Sequence, residues 1–223
     1  MNKRDPRRCV TVIGGGAAGM VAGIAAARAG AAVTLLERGE RVGRKLLATG
    51  NGQCNLANMA PDPLRWHGAS PDFVAAVLEQ FDLHQTLAFF RDLGIAPAVD
   101  ADGRVYPRSR QASAVLDVLR WELEDLGVQV RCSTQARGIG TDRGRLVVRV
   151  QGEEGVEADR VVLAAGGRAA PHLGATDSGY EMARALGHRV IDPFPALVQL
   201  RLASPWLRGL AGTRFEGTAR VLA

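Results

Sequence analysis

Hydrophobic and polar positions along the chain fall into blocks of different period. Residues 10–13 form a short unbroken apolar run, 14–19 a glycine-rich turn, 20–29 a stretch of small and aliphatic residues stopped by Gly30, and 32–37 a second apolar run ending on Glu37. Strands covered on both faces read as continuous apolar runs, as in parallel sheets. Two such runs joined by a segment of helical length predict a βαβ unit of about 30 residues.

The period disappears over residues 38–58, where Gly, Asn and basic residues crowd the stretch GRKLLATGNGQCNLAN. A loop that long inside a compact domain is functional or disordered. Helical spacing then returns, with Ser70 and Asp72 as candidate caps, Phe73, Val77, Leu78 and Phe81 as the apolar positions, and Gly94 as the stop. Residues 98–106 contain Asp102-Gly103, a hairpin signal, and Pro107 closes the segment. Residues 111–126 predict an amphipathic helix with Val115, Leu119, Leu123 and Leu126 on one stripe, ended by Gly127. Strand-like stretches follow at 128–132, 146–150 and 160–164, the last running into Ala165, Gly166 and Gly167. Residues 177–186 predict a further helix ended by Gly187, Pro193 and Pro195 mark a boundary, and the tail RGLAGTRFEGTARVLA begins as a strand.

Composition adds bounds. The 223 residues have room for one sizeable domain, or one domain and the beginning of another. A hydrophobic content of 47% against 23% charged excludes an intrinsically disordered chain. The formal charge of +5 and pI of 9.7 come from arginine, since Lys3 and Lys45 are the only lysines. Beyond the first residues these arginines alternate with acids, as at Arg120, Glu122, Glu124 and Asp125, which predicts a solvated surface; a nucleic-acid partner is permitted and not indicated. Cys9, Cys54 and Cys132 are odd in number and lack CxxC spacing, so neither a disulfide framework nor a metal site is expected, and reducing, cytoplasmic surroundings fit. MNKRDPRRC leads straight into the first strand without a cleavage site, and the apolar span 10–32 is broken by glycines and carries Arg28. Neither a signal peptide nor a membrane helix is expected.

Gly14, Gly16 and Gly19 spell G-x-G-x-x-G between a predicted strand and a predicted helix, with Ala17 and Ala18 between the last two glycines. The first glycine permits the tight turn, the second admits a pyrophosphate to the backbone, and the third lets helix and strand pack closely. The helix N-terminus offers free N–H groups to the phosphate. Glu37, at the end of the next strand, stands where an acid accepts hydrogen bonds from ribose hydroxyls. The pattern predicts a dinucleotide site. Glu37 argues against a 2′-phosphate on that ribose, Arg38 beside it keeps NADP open, and FAD and NAD both remain.

The blocks VIGGGAAGMVAGIAAARAGAAVTLLERGERVGRKLLATGNGQCNLAN, DGRVYPRSRQASAVLDVL and VVLAAGGRAAPHLGATDSGYEMARALGHRVIDPFPALVQL resemble the BaiN/RdsA-type, aminoacetone-oxidase-like, FAD-dependent oxidoreductases over essentially the whole chain. The resemblance implies an α/β fold: an FAD-binding, Rossmann-like parallel sheet of the glutathione-reductase type with helical and β-hairpin insertions. It implies an FAD-binding domain over 1–195, without its C-terminal completing segment, and the start of a truncated, β-rich inserted domain over 196–223. Under it the glycine turn and Glu37 hold the ADP half of FAD, with Arg38, Gly43, Arg44 and Lys45 along the following loop. Asn51, Gly52, Gln53, Cys54 and Asn55 lead toward the isoalloxazine, Ala136 lies near adenine, and Ala165, Gly166 and Gly167 form a second contact, with Ala165 standing where such folds often have Thr.

Bland readings stand beside these. Asn51 and Gly52 suit a turn at positive φ, Cys54 suits a small buried residue, and His188 suits a helix end. No catalytic acid is assigned, and Tyr106 and Arg108 suit either substrate contact or packing. The resemblance implies a flavoprotein taking electrons from NAD(P)H and reducing a C=C or related bond of a small organic substrate. In full-length form the substrate is alternatively a uridine of RNA. A nicotinamide-only module and a truncated dinucleotide-binding module without independent catalysis are the other readings. Oligomeric state is left open.

Overall fold

The computed structural model describes residues 7–62, 64, 66, 70–195, 209 and 213. The chain divides into two compact units, Met1–Val190 and Ile191–Ala223. The expected beginning of a β-rich domain over 196–223 lies outside the described residues except at Gly209 and Thr213.

The first unit opens with β1 (Cys9–Ile13), α1 (Ala17–Arg28) and β2 (Ala32–Leu36). Helix α1 begins at Ala17, ahead of the start expected from the glycine spacing, so Gly19 lies inside its first turn. The reason is steric: a β-carbon on Gly19 would overlap the Gly14 carbonyl oxygen, so only glycine lets the helix start so close to the strand. The loop that follows contains a 3-10 turn, Leu46–Gly52, and ends in the two-residue β3 (Ala57–Asn58).

The single helical segment expected up to Gly94 is two helices, α2 (Pro71–Gln80) and α3 (Leu83–Asp92). Asp82 breaks it. Its carboxylate accepts from the Gln85 N–H at 2.7 Å while the Gln85 side chain accepts from the Asp82 N–H at 2.8 Å, a capping box that starts a new helix. The expected apolar stripe is corrected as well: Phe73, Val77 and Phe81 are exposed, and α2 buries Val74. The hairpin is present as β4 (Pro97–Val99) and β5 (Arg104–Pro107), with β3 on the other side of β5.

Next come α4 (Ala112–Asp125) and β6 (Gln129–Arg131). A three-stranded antiparallel meander follows, made of β7 (Ala136–Asp142), β8 (Arg145–Val150) and β9 (Val156–Ala158). The chain returns through β10 (Arg160–Leu163) and ends the unit with α5 (Ser178–Ala185). Only the middle strand of the meander has a clear pattern in the sequence.

Four parallel strands in the order β10-β1-β2-β6 make the central sheet. On one face α1 and α4 bury Met20, Ile24, Val115, Leu119 and Leu123 against Val12 and Leu35. On the other, Val148 and Val150 of the meander and Met182 of α5 pack on Ile13 and Leu36. Each such side chain contributes about 1.5–3 kcal/mol on burial. Burial on both faces explains why the strands read as unbroken apolar runs. From β1 the chain steps to β2 and β6 on one side, and after the meander it returns to β10 on the other side of β1, so the strand order reverses at β1. A crevice therefore opens at the carboxyl ends of these strands, the usual ligand position in such sheets.

Candidate functional site

A cleft of about 360 Å³ occupies that crevice. Its floor is the turn after β1. Gly14 has φ of +108°, and a β-carbon there would lie 2.5 Å from the Ala164 carbonyl oxygen, so the two strand ends meet only because the residue is glycine. Gly16, the N-cap of α1, has no side-chain cap, and a β-carbon on it would meet nothing within 4 Å. The first turn of α1 thus presents backbone N–H groups beside open space, the arrangement that suits an anion.

Glu37 is fixed beside this turn. One carboxylate oxygen accepts from the Gly15 N–H at 2.7 Å and the other from the Gly39 N–H at 2.6 Å. Each oxygen keeps a free lone pair for a hydroxyl donor. Backbone bonds hold Glu37 on both sides: its N–H donates to the Arg131 carbonyl and its carbonyl accepts from Thr134, placing Thr134, Gln135 and Ala136 next to it in the cleft. Its charge is also felt by Cys132, whose thiol pKa is raised, first by burial and then by this carboxylate.

The following loop folds back over the turn. Gly43 donates to the Gly15 carbonyl at 2.8 Å and, at φ of +77°, lies so close to Leu116 that a β-carbon would collide with it. Arg38, Arg41, Arg44 and Lys45 line the cleft along this loop, and Glu37 is the only acid among the described lining residues. Among the described residues none of these cations pairs with a carboxylate. Elsewhere Arg28, Arg104, Arg120, Arg131, Arg145 and Arg168 do. On the opposite wall stand Ala165, Gly166 and Gly167, then Leu173, Gly174, Ala175 and Thr176. Gly166 has φ of +74° with open space around it, and Gly179 lets α5 approach Ala165 closely.

Of the residues singled out in the sequence, the cleft brings together Gly14, Gly16, Ala17, Ala18, Glu37, Arg38, Gly43, Arg44, Lys45, Ala136, Ala165, Gly166 and Gly167. Gly19 is buried beneath the turn as a packing residue. Asn51, Gly52, Gln53, Cys54 and Asn55 lie beyond Thr49 and do not line it. That loop is sharply bent: Gly50, Asn51, Gly52 and Cys54 all have positive φ, and Arg110 reaches from the end of the hairpin to donate to Gln53 at 3.2 Å. The Cys54 side chain belongs to the core at 5% exposure, and burial raises its thiol pKa against the lowering effect of a hydrogen bond with Thr49. Gly15, Gly39, Arg41, Thr134 and the 173–176 loop line the cleft without having been singled out. Gly15 follows from Glu37, because an acid at that position needs an N–H to hold it. The 173–176 loop carries no spacing signal of its own.

A family model described as the HI0933-like protein Rossmann domain matches residues 8–216. The chain belongs to the HI0933-like family. Its members are FAD-dependent oxidoreductases, an enzyme class. Among curated relatives, a 3-dehydro-bile acid delta(4,6)-reductase of Clostridium scindens is 42% identical over 96% of this chain and 52% of its own length. A ribosomal RNA dihydrouridine synthase of Escherichia coli is 30% identical over 89% of this chain and 49% of its own. This HI0933-like chain therefore spans about half the length of the curated relatives it matches. A flavocytochrome c3 fumarate reductase in its open conformation shares the fold, with TM-score 0.55 at 19% identity over 80% of this chain and 40% of that one. No helix among the described residues is long and apolar enough to cross a membrane.

Proposed function

We propose that residues 1–195 form the cofactor half of a flavin-dependent oxidoreductase, with the ADP portion of FAD in the cleft, and that residues 196–223 open a second, β-rich domain. The observation that carries this reading is an open glycine turn flanked by a fixed carboxylate and a rim of cations that pair with no carboxylate among the described residues. Glu37, held by Gly15 and Gly39, receives ribose hydroxyls on its free lone pairs. The N–H groups of Ala17 and Ala18, in the first helical turn and on the cleft wall, face the pyrophosphate. Arg44 and Lys45 supply counter-charge from the loop above. Thr134, Gln135 and Ala136 border the adenosine end. Residues 51–55 make the segment that turns toward the flavin, their bends set by glycine, asparagine and the Arg110 contact. When bound, FAD supplies a ring that takes up an electron pair and passes it on, while the protein binds, orients and shields it.

We infer further that the complete enzyme takes electrons from NAD(P)H and reduces a C=C bond of a small organic molecule. The relative at 42% identity, named a delta(4,6)-reductase, supports this reading. A uridine base of RNA is the second reading, favoured by the relatives named ribosomal RNA dihydrouridine synthases.

Thermal unfolding of the purified chain with FAD, NADH or NADPH tests the cofactor. Saturation at about 100 times Kd adds about 2.7 kcal/mol to the stability of whatever binds. FAD is expected to raise Tm, and a rise with a nicotinamide nucleotide but not FAD refutes the assignment. NAD(P)H consumption by the full-length protein, offered a conjugated enone or a uridine-containing RNA, separates the two substrate readings.

A further inference from the structure

The loop between β10 and α5 borders the cleft and is tied across it by a side chain from the other flank. Arg38 follows Glu37 off the end of β2, and its guanidinium donates to the Gly174 carbonyl oxygen and, at 3.4 Å, to Oγ1 of Thr176. Because β2 and β10 lie on opposite sides of β1, this contact spans the glycine turn. Leu173, Gly174, Ala175 and Thr176 line the cleft together with Arg38.

The loop has its own internal supports. Arg168 pairs with Asp177 near its base, the Thr176 and Ser178 hydroxyls lie 3.0 Å apart, and Ala170 and Gly174 take φ of +61° and +97°. These shape the loop without joining it to β2, whereas Arg38 makes the hydrogen bonds that do. Arg44 stands behind it: a β-carbon on Gly174 would lie 3.7 Å from a guanidinium nitrogen of each arginine. Two cations thus converge on one backbone position, and a charged donor on a carbonyl makes a stronger bond than a neutral one.

We propose that Arg38 is a positioning residue that latches the 173–176 loop over the dinucleotide, so that the loop must open before the cofactor leaves. The identity of the ligand rests on the FAD reading above; the latch rests on the geometry. Loop closures of this kind gate release in many enzymes. An arginine committed to Gly174 and Thr176 is also withdrawn from selecting a 2′-phosphate.

Two measurements on the 223-residue chain separate the latch from its ligand. Amide hydrogen exchange over residues 169–178, without added cofactor, reads the latch itself. Arg38→Gln is expected to exchange about tenfold faster there, with Arg38→Lys, which keeps one charged donor, in between. FAD release, followed by recovery of flavin fluorescence, reads the consequence. Arg38→Gln is expected to release about five- to tenfold faster, Thr176→Val less so, and the double variant no faster than Arg38→Gln alone. Wild-type exchange in Arg38→Gln overturns the latch. Additive acceleration in the double variant does so too, since it marks two independent contacts with FAD. A wild-type chain that binds no FAD, yet shows the exchange difference, supports the latch and refutes FAD as the molecule it closes on.

Discussion

Gly16 and Gly19 stand three residues apart in one motif, and the structure predicts opposite consequences for replacing each by alanine. At Gly19 the added carbon overlaps the Gly14 carbonyl oxygen and lies 3.0 Å from the carbonyl carbon, both backbone atoms that cannot rotate away. Helix α1 would have to retreat by about 1 Å to restore ordinary contact. That loosens Met20 and Ile24, which are fully buried between helix and sheet. Overpacking of this kind costs about 1–3 kcal/mol, and at a backbone contact the upper end applies. Alanine's better helix propensity returns about 1 kcal/mol, leaving a net loss of about 2 kcal/mol. At Gly16 the carbon meets nothing within 4 Å and φ of −77° suits any residue. The poorer N-cap and the stiffer unfolded chain offset each other at about 0.5–1 kcal/mol apiece. Fold stability should therefore be unchanged, while the methyl group enters the open space that the proposed reading gives to the pyrophosphate. Urea unfolding gives the first quantity and FAD titration the second. Wild-type stability in Gly19→Ala, or wild-type FAD affinity in Gly16→Ala, would refute the division of labour between the two glycines.

Other perturbations probe the supports around the site. Asp159 accepts from the Cys9 N–H at 2.8 Å and from Arg145 at 3.1 Å, and its pKa is lowered chiefly by the first of these. Its contribution is fully present above the ordinary value of 3.8 and is lost as pH falls through the lowered folded value. Acid unfolding below that pH should be less steep in Asp159→Asn than in wild type, and identical acid limbs would contradict the assignment. Glu37→Gln removes the charge that helps hold the Cys132 thiol protonated, so alkylation of Cys132 at pH 8, read by peptide mass spectrometry, should speed up. Cys54, buried in the core, should be labelled only as fast as the chain unfolds. Asp82→Ala removes the capping box that starts α3 and is expected to cost about 1 kcal/mol in urea unfolding.

The βαβ opening was legible because three independent signals coincide there: continuous apolar runs, a glycine turn and an acid after the second strand. The start of α1 was not, since spacing alone cannot tell that Gly19 is needed inside the helix to pass the Gly14 carbonyl. The break at Asp82 hides because Phe81 continues a helical apolar spacing, and only the Asp82–Gln85 exchange of hydrogen bonds reveals the stop. Strands β7 and β9 went unseen for a different reason. In ARGIGTD and VEA the inward positions are filled by Ala136, Ile139 and Ala158 among small and charged neighbours, so alternation is faint, and long-range pairing with β8 decides them. At the cleft, thirteen residues named from the glycine motif and the family resemblance come together. Gly15, Gly39, Arg41 and the 173–176 loop of the same blocks were not singled out, and residues 51–55, which were, lie outside it. Thr134 and Gln135 were not singled out either, because they reach the cleft only through the backbone pairing of Glu37 with Arg131 and Thr134.

Charge gives the least expected lesson. An excess of arginine spread among acids reads as a solvated surface, and for Arg28, Arg104 and Arg120 that is what the structure shows, each exposed beside a carboxylate. Such exposed pairs contribute little to stability and nearly cancel in the far field. Arg38, Arg41, Arg44 and Lys45 escape that cancellation. They sit on one loop, around one concavity, opposite a single carboxylate whose two oxygens already accept backbone N–H bonds. A concave site focuses the field of its lining charges, so uncompensated positive charge collects where α1 also points its N-terminus. Like charges crowded in this way oppose folding, and an anionic ligand relieves the repulsion as it binds. The same arrangement that opposes folding of the empty protein therefore suits the cleft to an anionic group, the property that the proposed pyrophosphate site requires.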